Sequence, residues 1–188
     1  MCLTACPVKI NTGDLIRAKR RETQNETLDK GWKVAAEHWD MVLRGASLGM
    51  TTTHALPTTP LRGALGLARK ALSEDIVPTL TSELPGGGKV RKPQTVPNPD
   101  AIFMPACVGT MFGTEHACGT GVGGAVRELA AYAGLRLSTP AGVQELCCGT
   151  PWKSKGLAKG YEVMKDKLTS WIVQHTHHGR IPLVCDNV

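Results

Sequence analysis

The segment AIFMPA, residues 101–106, is a short apolar run between turn residues, and Cys107 follows it. Its length and the turn residues around it predict a buried β-strand. The segments LRLST at 135–139 and IPLVC at 181–185 predict two further strands. Helical patterns over about 122–133 and 153–178 separate the three strands. This alternation predicts an α/β fold with a parallel sheet and right-handed crossovers.

Cysteines accompany all three predicted strands. Cys107 follows the first strand, Cys147 and Cys148 lie in the loop after the second, and Cys185 ends the third. Ligands bind beyond the carboxyl ends of the strands in open parallel sheets, so we expect these four thiols to converge. Converging thiolates bind zinc or an iron–sulfur cluster. A free cysteine is also a common small core residue, and this interpretation stays open for each thiol taken alone.

The chain begins with two cysteines that resemble part of a ferredoxin motif. Cys2, Cys6 and Pro7 match the end of the run C-x₂-C-x₂-C-x₃-C-P, in which the last cysteine serves a different cluster from the others. These two residues are therefore candidate ligands of a partial ferredoxin-type site. Because the other thiols of the run are missing, we expect no complete cluster there.

Helical patterns follow this opening. Thr12 is the predicted N-cap of a first helix. Apolar residues recur at helical spacing from Glu26 to Leu48, and Pro60–Ser73 predicts a third helix. Residues 78–100 are rich in proline and glycine, which predicts a linker.

Three segments of the second half resemble a known family. FMPACVGTMFG, LCCGTPWKSKGL and IPLVCD are similar to the cysteine-rich CCG domain, which occurs in heterodisulfide reductase B subunits and glycolate oxidase iron–sulfur subunits. The same domain occurs in flavin-linked, iron–sulfur D-lactate dehydrogenases. The opening CLTACPVKINTGDLIRAKR resembles the end of the ferredoxin-like segment that precedes the domain in this last group, and therefore favours it.

The resemblance implies a division of the chain and a role for it. Residues 1–77 would be a partial ferredoxin-like helical segment, 78–100 a linker, and 101–188 a CCG domain truncated at its C-terminus. The chain would be the electron-transfer part of an FAD-linked D-2-hydroxyacid dehydrogenase and would not be catalytic alone. A 4Fe–4S cluster would be its cofactor, and FAD would lie in an upstream flavoprotein region of the same parent chain. An electron acceptor would be the second partner. The alternative is a structural or interaction module that binds zinc or no metal.

Composition limits the other classes of function. The chain has a net charge of +6 and only 4% aromatic residues, so it lacks the stacking surface of a single-strand nucleic-acid binder. We therefore expect no nucleic-acid partner. No apolar run reaches the ~18 residues of a transmembrane helix. An odd count of 7 cysteines favours reduced thiols or metal ligands over a secreted disulfide framework. The expected location is the cytoplasm, or the periphery of the inner membrane face.

Overall fold

The computed structural model describes residues 11–55, 85–114 and 120–186, together with isolated helical positions at 63, 66, 67 and 70. In the described residues the helices are α1 (Thr12–Glu22), α2 (Glu26–Glu37), α3 (Trp39–Ala55), α4 (Val108–Met111), α5 (Gly121–Tyr132), α6 (Thr150–Lys155) and α7 (Ala158–His175). The strands are β1 (Ala101–Met104), β2 (Leu137–Ser138) and β3 (Leu183–Cys185). The predicted helix Pro60–Ser73 falls mostly outside the described residues.

The three strands form one parallel sheet in the order β2-β1-β3. Ala101 is in register with Leu137, and Met104 is in register with Cys185. The prediction of three parallel strands is confirmed, although each strand is shorter than its apolar segment. The fold is therefore mixed α/β, with β1 in the centre of the sheet.

Helices cover both faces of this sheet. Successive strand residues point to opposite faces, so Ala101 and Phe103 pack on α5, through its residues Val126 and Ala130. Ile102 and Met104 point the other way and pack with Trp171 of α7. The crossover β1–α5–β2 and the return β2–α7–β3 thus place one helix on each face.

Two predicted helices are interrupted. The segment from Glu26 to Leu48 is not one helix, because the backbone leaves helical geometry at His38 with φ −114° and ψ 40°. The predicted helix 153–178 is also two helices. Gly156 separates them at φ +77°, a conformation that L side chains rarely adopt.

The start of α1 also differs from the prediction by one residue. Asn11 caps α1, with its side-chain oxygen accepting a hydrogen bond from the backbone N–H of Asp14, and Thr12 is the first helical residue. An amide side chain satisfies the free N–H groups of a first turn as well as a hydroxyl does.

The helices α1–α3 pack against α6 and α7 rather than standing apart. Trp152 is fully buried, and its indole N–H donates to the carbonyl of Trp32 at 3.0 Å. The rings of Trp39 and Trp152 meet edge to face with centroids 4.7 Å apart. We call this core the junction core; its buried members are Ala36, Trp39, Leu43, Cys107, Cys147, Trp152, Leu157 and Met164.

The segment 85–100 contains no helix or strand, yet it is packed onto the sheet. Gln94 pairs with Thr139 in an isolated antiparallel bridge, and Arg91 is buried. The backbone of Gly88 lies so close to that of Gly109 that a Cβ added to Gly88 would be 2.0 Å from the carbonyl oxygen of Gly109. The division of the chain into a helical segment, a linker and a CCG domain stays a prediction.

Candidate thiol site

Two of the predicted ligands lie side by side in the junction core. The sulfurs of Cys107 and Cys147 are 3.4 Å apart, within hydrogen-bond distance for thiols. Only 7% of the surface of Cys107 and 3% of that of Cys147 are exposed. The structure therefore brings together the thiol that follows β1 and the first thiol of the adjacent pair.

Loop geometry places both thiols at the carboxyl end of β1. Cys107 begins α4 after the turn Pro105–Ala106, and the side chain of Asp186 accepts a hydrogen bond from the N–H of Ala106 at 2.6 Å. Cys147 follows a short 3₁₀ turn, and its N–H donates to the sulfur of Met164 at 3.2 Å. Each thiol is thus held through backbone contacts of its own loop.

The other two predicted ligands are exposed. Cys148 turns away from its neighbour, and its sulfur lies 3.2 Å from the hydroxyl of Thr150. Cys185 pairs with Met104 in the sheet but is exposed at the end of β3. Within the ranges that the structure describes, no group of three or more histidine, cysteine, aspartate or glutamate side chains could hold a metal ion. Cys2 and Cys6 lie outside the described residues.

A buried arginine connects the two thiol loops, and the sequence analysis did not single it out. The guanidinium of Arg91 donates to the carbonyl of Pro105 at 2.9 Å, next to the loop of Cys107. It also donates to the carbonyls of Gln144 and Leu146, at 3.1 and 2.8 Å, just before Cys147. Burial lowers the pKa of Arg91, while the neighbouring thiols and Asp186 act in the opposite direction.

The surroundings of the paired thiols shift their pKa values in opposite directions. A hydrogen bond from Cys147 lowers the pKa of Cys107 to about 6, against the opposing effect of burial. The positive charge of Arg91 and the nearby indole N–H of Trp39 contribute to this lowering. The same hydrogen bond, together with burial, raises the pKa of Cys147. The pair therefore holds one thiolate near neutral pH, on Cys107.

Unpartnered polar atoms occur on residues that pack with this pair or are hydrogen-bonded to its loops. Among the described residues, four buried side-chain atoms have no hydrogen-bond partner: Trp39 Nε1, Arg91 Nε, Thr110 Oγ1 and Gln144 Oε1. Trp39 shares the junction core, the guanidinium of Arg91 donates to the backbone carbonyl of Gln144, and the backbone N–H of Thr110 donates to the carbonyl of Cys107. Buried polar atoms are normally paired with protein, water or an ion.

No helix among the described residues combines the length and the apolar character needed to cross a membrane. Family models, curated proteins and solved structures were each compared with the chain, and none of them matches it.

Proposed function

We propose that this chain is the electron-transfer portion of an FAD-linked D-2-hydroxyacid dehydrogenase of the D-lactate type, and that residues 101–188 are a CCG domain. The observation that supports this proposal is the buried pair of Cys107 and Cys147 at the carboxyl end of β1, with unpartnered polar atoms on residues that pack with it or are hydrogen-bonded to its loops. The proposal includes a cytoplasmic location, where thiols stay reduced.

The chemistry of the pair suits a thiolate-ligated centre. Thiolates, not thiols, bind metals, and the lowered pKa of Cys107 favours its thiolate near neutral pH. Arg91 contributes positive charge, and Trp39 and Arg91 contribute N–H groups of the kind that hydrogen-bond to cluster sulfurs. A bound iron–sulfur cluster supplies a one-electron carrier.

The fit to a four-thiolate cluster is incomplete. Two thiols converge, whereas Cys148 and Cys185 are exposed and belong to no ligand group among the described residues. The residue types fit the proposed group, but the arrangement supplies half of its ligands.

A second candidate is the structural or interaction module that binds zinc. Two thiolates on one tetrahedral zinc ion lie about 3.8 Å apart, since each zinc–sulfur bond is about 2.3 Å. The observed separation of 3.4 Å is close to this value. That distance is the observation that favours zinc.

The deciding experiment is metal analysis of the chain purified without oxygen. We expect iron and acid-labile sulfide in equal amounts with a broad visible absorption band, all lost in Cys147→Ser. Cys118→Ser is the matched control, since Cys118 is not a predicted ligand, and it should retain the band. Stoichiometric zinc without sulfide would establish the second candidate, and a metal-free chain would contradict both metal proposals.

The relation to a flavoprotein has its own test. In a parent chain that carries the upstream FAD region, Cys148→Ser should lower iron content and leave the flavin spectrum unchanged, because the two cofactors lie in different regions. D-lactate should still bleach the flavin, while electron transfer to an external acceptor should fall. Loss of flavin together with iron would contradict this separation.

A further inference from the structure

We propose that Cys107 and Cys147 are a reversible dithiol–disulfide site when no metal is bound, oxidised by hydrogen peroxide. The proposal rests on the distance between the two sulfurs and on their burial. It does not depend on the iron–sulfur proposal, because it concerns the metal-free chain.

The geometry favours this pairing over any other in the described residues. The sulfurs are 3.4 Å apart and would have to approach to the about 2.0 Å of a disulfide bond. Both loops are fixed to the same guanidinium, so neither thiol has to be brought in from a distance. Cys148 is adjacent in sequence but its sulfur contacts Thr150 instead.

Access favours a small oxidant and makes Cys107 the attacking residue. Cys107 has 7% of its surface exposed and Cys147 has 3%, so a small oxidant has better access to Cys107 than to Cys147.

The chemistry proceeds in two steps. The Cys107 thiolate attacks the peroxide, the oxygen–oxygen bond breaks, and a sulfenic acid forms as hydroxide leaves and takes up a proton to become water. The Cys147 sulfur then attacks the sulfenic sulfur, and the oxygen departs as a second water with the Cys147 proton. In total, two thiols and one peroxide give one disulfide and two waters. A small dithiol such as dithiothreitol reverses the change by taking the bond over as its own disulfide.

The test uses the full chain after metal removal and complete reduction. One equivalent of hydrogen peroxide should remove two titratable thiols and lower the mass by two hydrogens, and dithiothreitol should restore both. Peptide sequencing of the unmodified wild-type chain should place the bond between Cys107 and Cys147, a readout that needs no variant to fold.

Three variants separate the roles of the sulfurs. Cys147→Ser should accumulate a sulfenic acid at Cys107 that dimedone traps, and Cys107→Ser should give neither product at this site. Cys118→Ser, the matched control at a cysteine that is not a predicted ligand, should behave as wild type. A disulfide from Cys107 to Cys148, or equal thiol loss in wild type and Cys147→Ser, would overturn the proposal. Iron content does not enter these readouts, so failure here is distinct from failure of the iron–sulfur proposal.

Discussion

The two sides of the molecule's interior are built from different residues. The cores against the sheet are almost wholly aliphatic and aromatic, with Ile102, Phe103 and Trp171 among their members. The junction core contains both buried thiols, and the unpartnered Arg91 Nε and Trp39 Nε1 lie in or beside it. A protein keeps polar groups in such a place at a cost in stability, so the difference supports the proposal that the thiol site lies in the junction core and that the sheet is its scaffold.

The contrast between the sheet cores and the junction core can be tested most directly by replacing Arg91. In Arg91→Met, three backbone carbonyls lose their donors and the two thiol loops lose their common contact. We expect a loss of about 3–5 kcal/mol in the free energy of unfolding. Denaturant titration of the reduced chain measures it. The matched control is Lys92→Met, an exposed neighbour of the same charge, which should change stability by less than about 0.5 kcal/mol. Equal effects of the two changes would mean that the guanidinium does not hold the loops.

The close packing of α2 on α7 gives the next largest effect. A Cβ at Gly160 would lie 2.3 Å from the ring of Trp152 and 2.9 Å from the carbonyl oxygen of Trp32. Because Trp152 is fully buried, its ring has no free space to move into, and Gly160→Ala should cost about 2–3 kcal/mol.

Gly31 provides the matched control for this substitution. It lies in α2, and a Cβ there meets nothing within 4 Å. Gly31→Ala should therefore stabilise the protein by about 0.5–1 kcal/mol through helix propensity. The same denaturant titration measures both variants. If Gly160→Ala were as stable as Gly31→Ala, the described junction between the helical segment and α7 would be wrong.

The sequence predicted the scaffold better than the site, for physical reasons. Short apolar runs bounded by turns are sufficient to indicate buried strands, and strand order then places Cys107 and Cys147 at one end of the sheet. Arg91 could not be recognised, because it lies between Lys89 and Lys92 in a proline-rich stretch and has the same charge as both. Its burial depends on tertiary packing alone.

The difference between Cys147 and Cys148 was equally hidden in the sequence. Both are thiols in one loop, and the direction of each side chain is set by the loop backbone. Gly149, at φ +82°, turns the chain into α6 immediately after them. The spacing of residues in the sequence does not reveal such a turn. It therefore could not show that Cys147 is buried while Cys148 is exposed.

The Cys107 thiol of the junction core should also make stability depend on pH. The folded chain releases the Cys107 proton near pH 6, and an unfolded thiol keeps it to about pH 8.5. Between these values the unfolded state binds more protons, so the free energy of unfolding rises with pH, by at most about 1.4 kcal/mol per pH unit.

Above the pKa of the unfolded thiols the trend reverses. Cys147 has a raised pKa and keeps its proton in the folded state while the unfolded chain loses it, so stability falls again with rising pH. Denaturant titrations of the reduced, metal-free chain across this range should therefore show a maximum. Cys107→Ser should lack the rise below it, and an unchanged rise in that variant would assign the titration to other groups.

The smallest expected effect comes from comparing the two adjacent cysteines, Cys147 and Cys148. Cys148 is exposed and its sulfur lies 3.2 Å from the hydroxyl of Thr150, a contact that serine can retain. Cys148→Ser should therefore change the stability of the metal-free chain by less than about 0.5 kcal/mol.

Cys147→Ser instead places a hydroxyl in the junction core beside Cys107 and should cost about 1–3 kcal/mol. Thermal and denaturant unfolding of the two variants under reducing conditions measure this contrast. Equal losses would show that Cys148 also belongs to the buried site in solution, and would favour the four-thiolate arrangement over the pair.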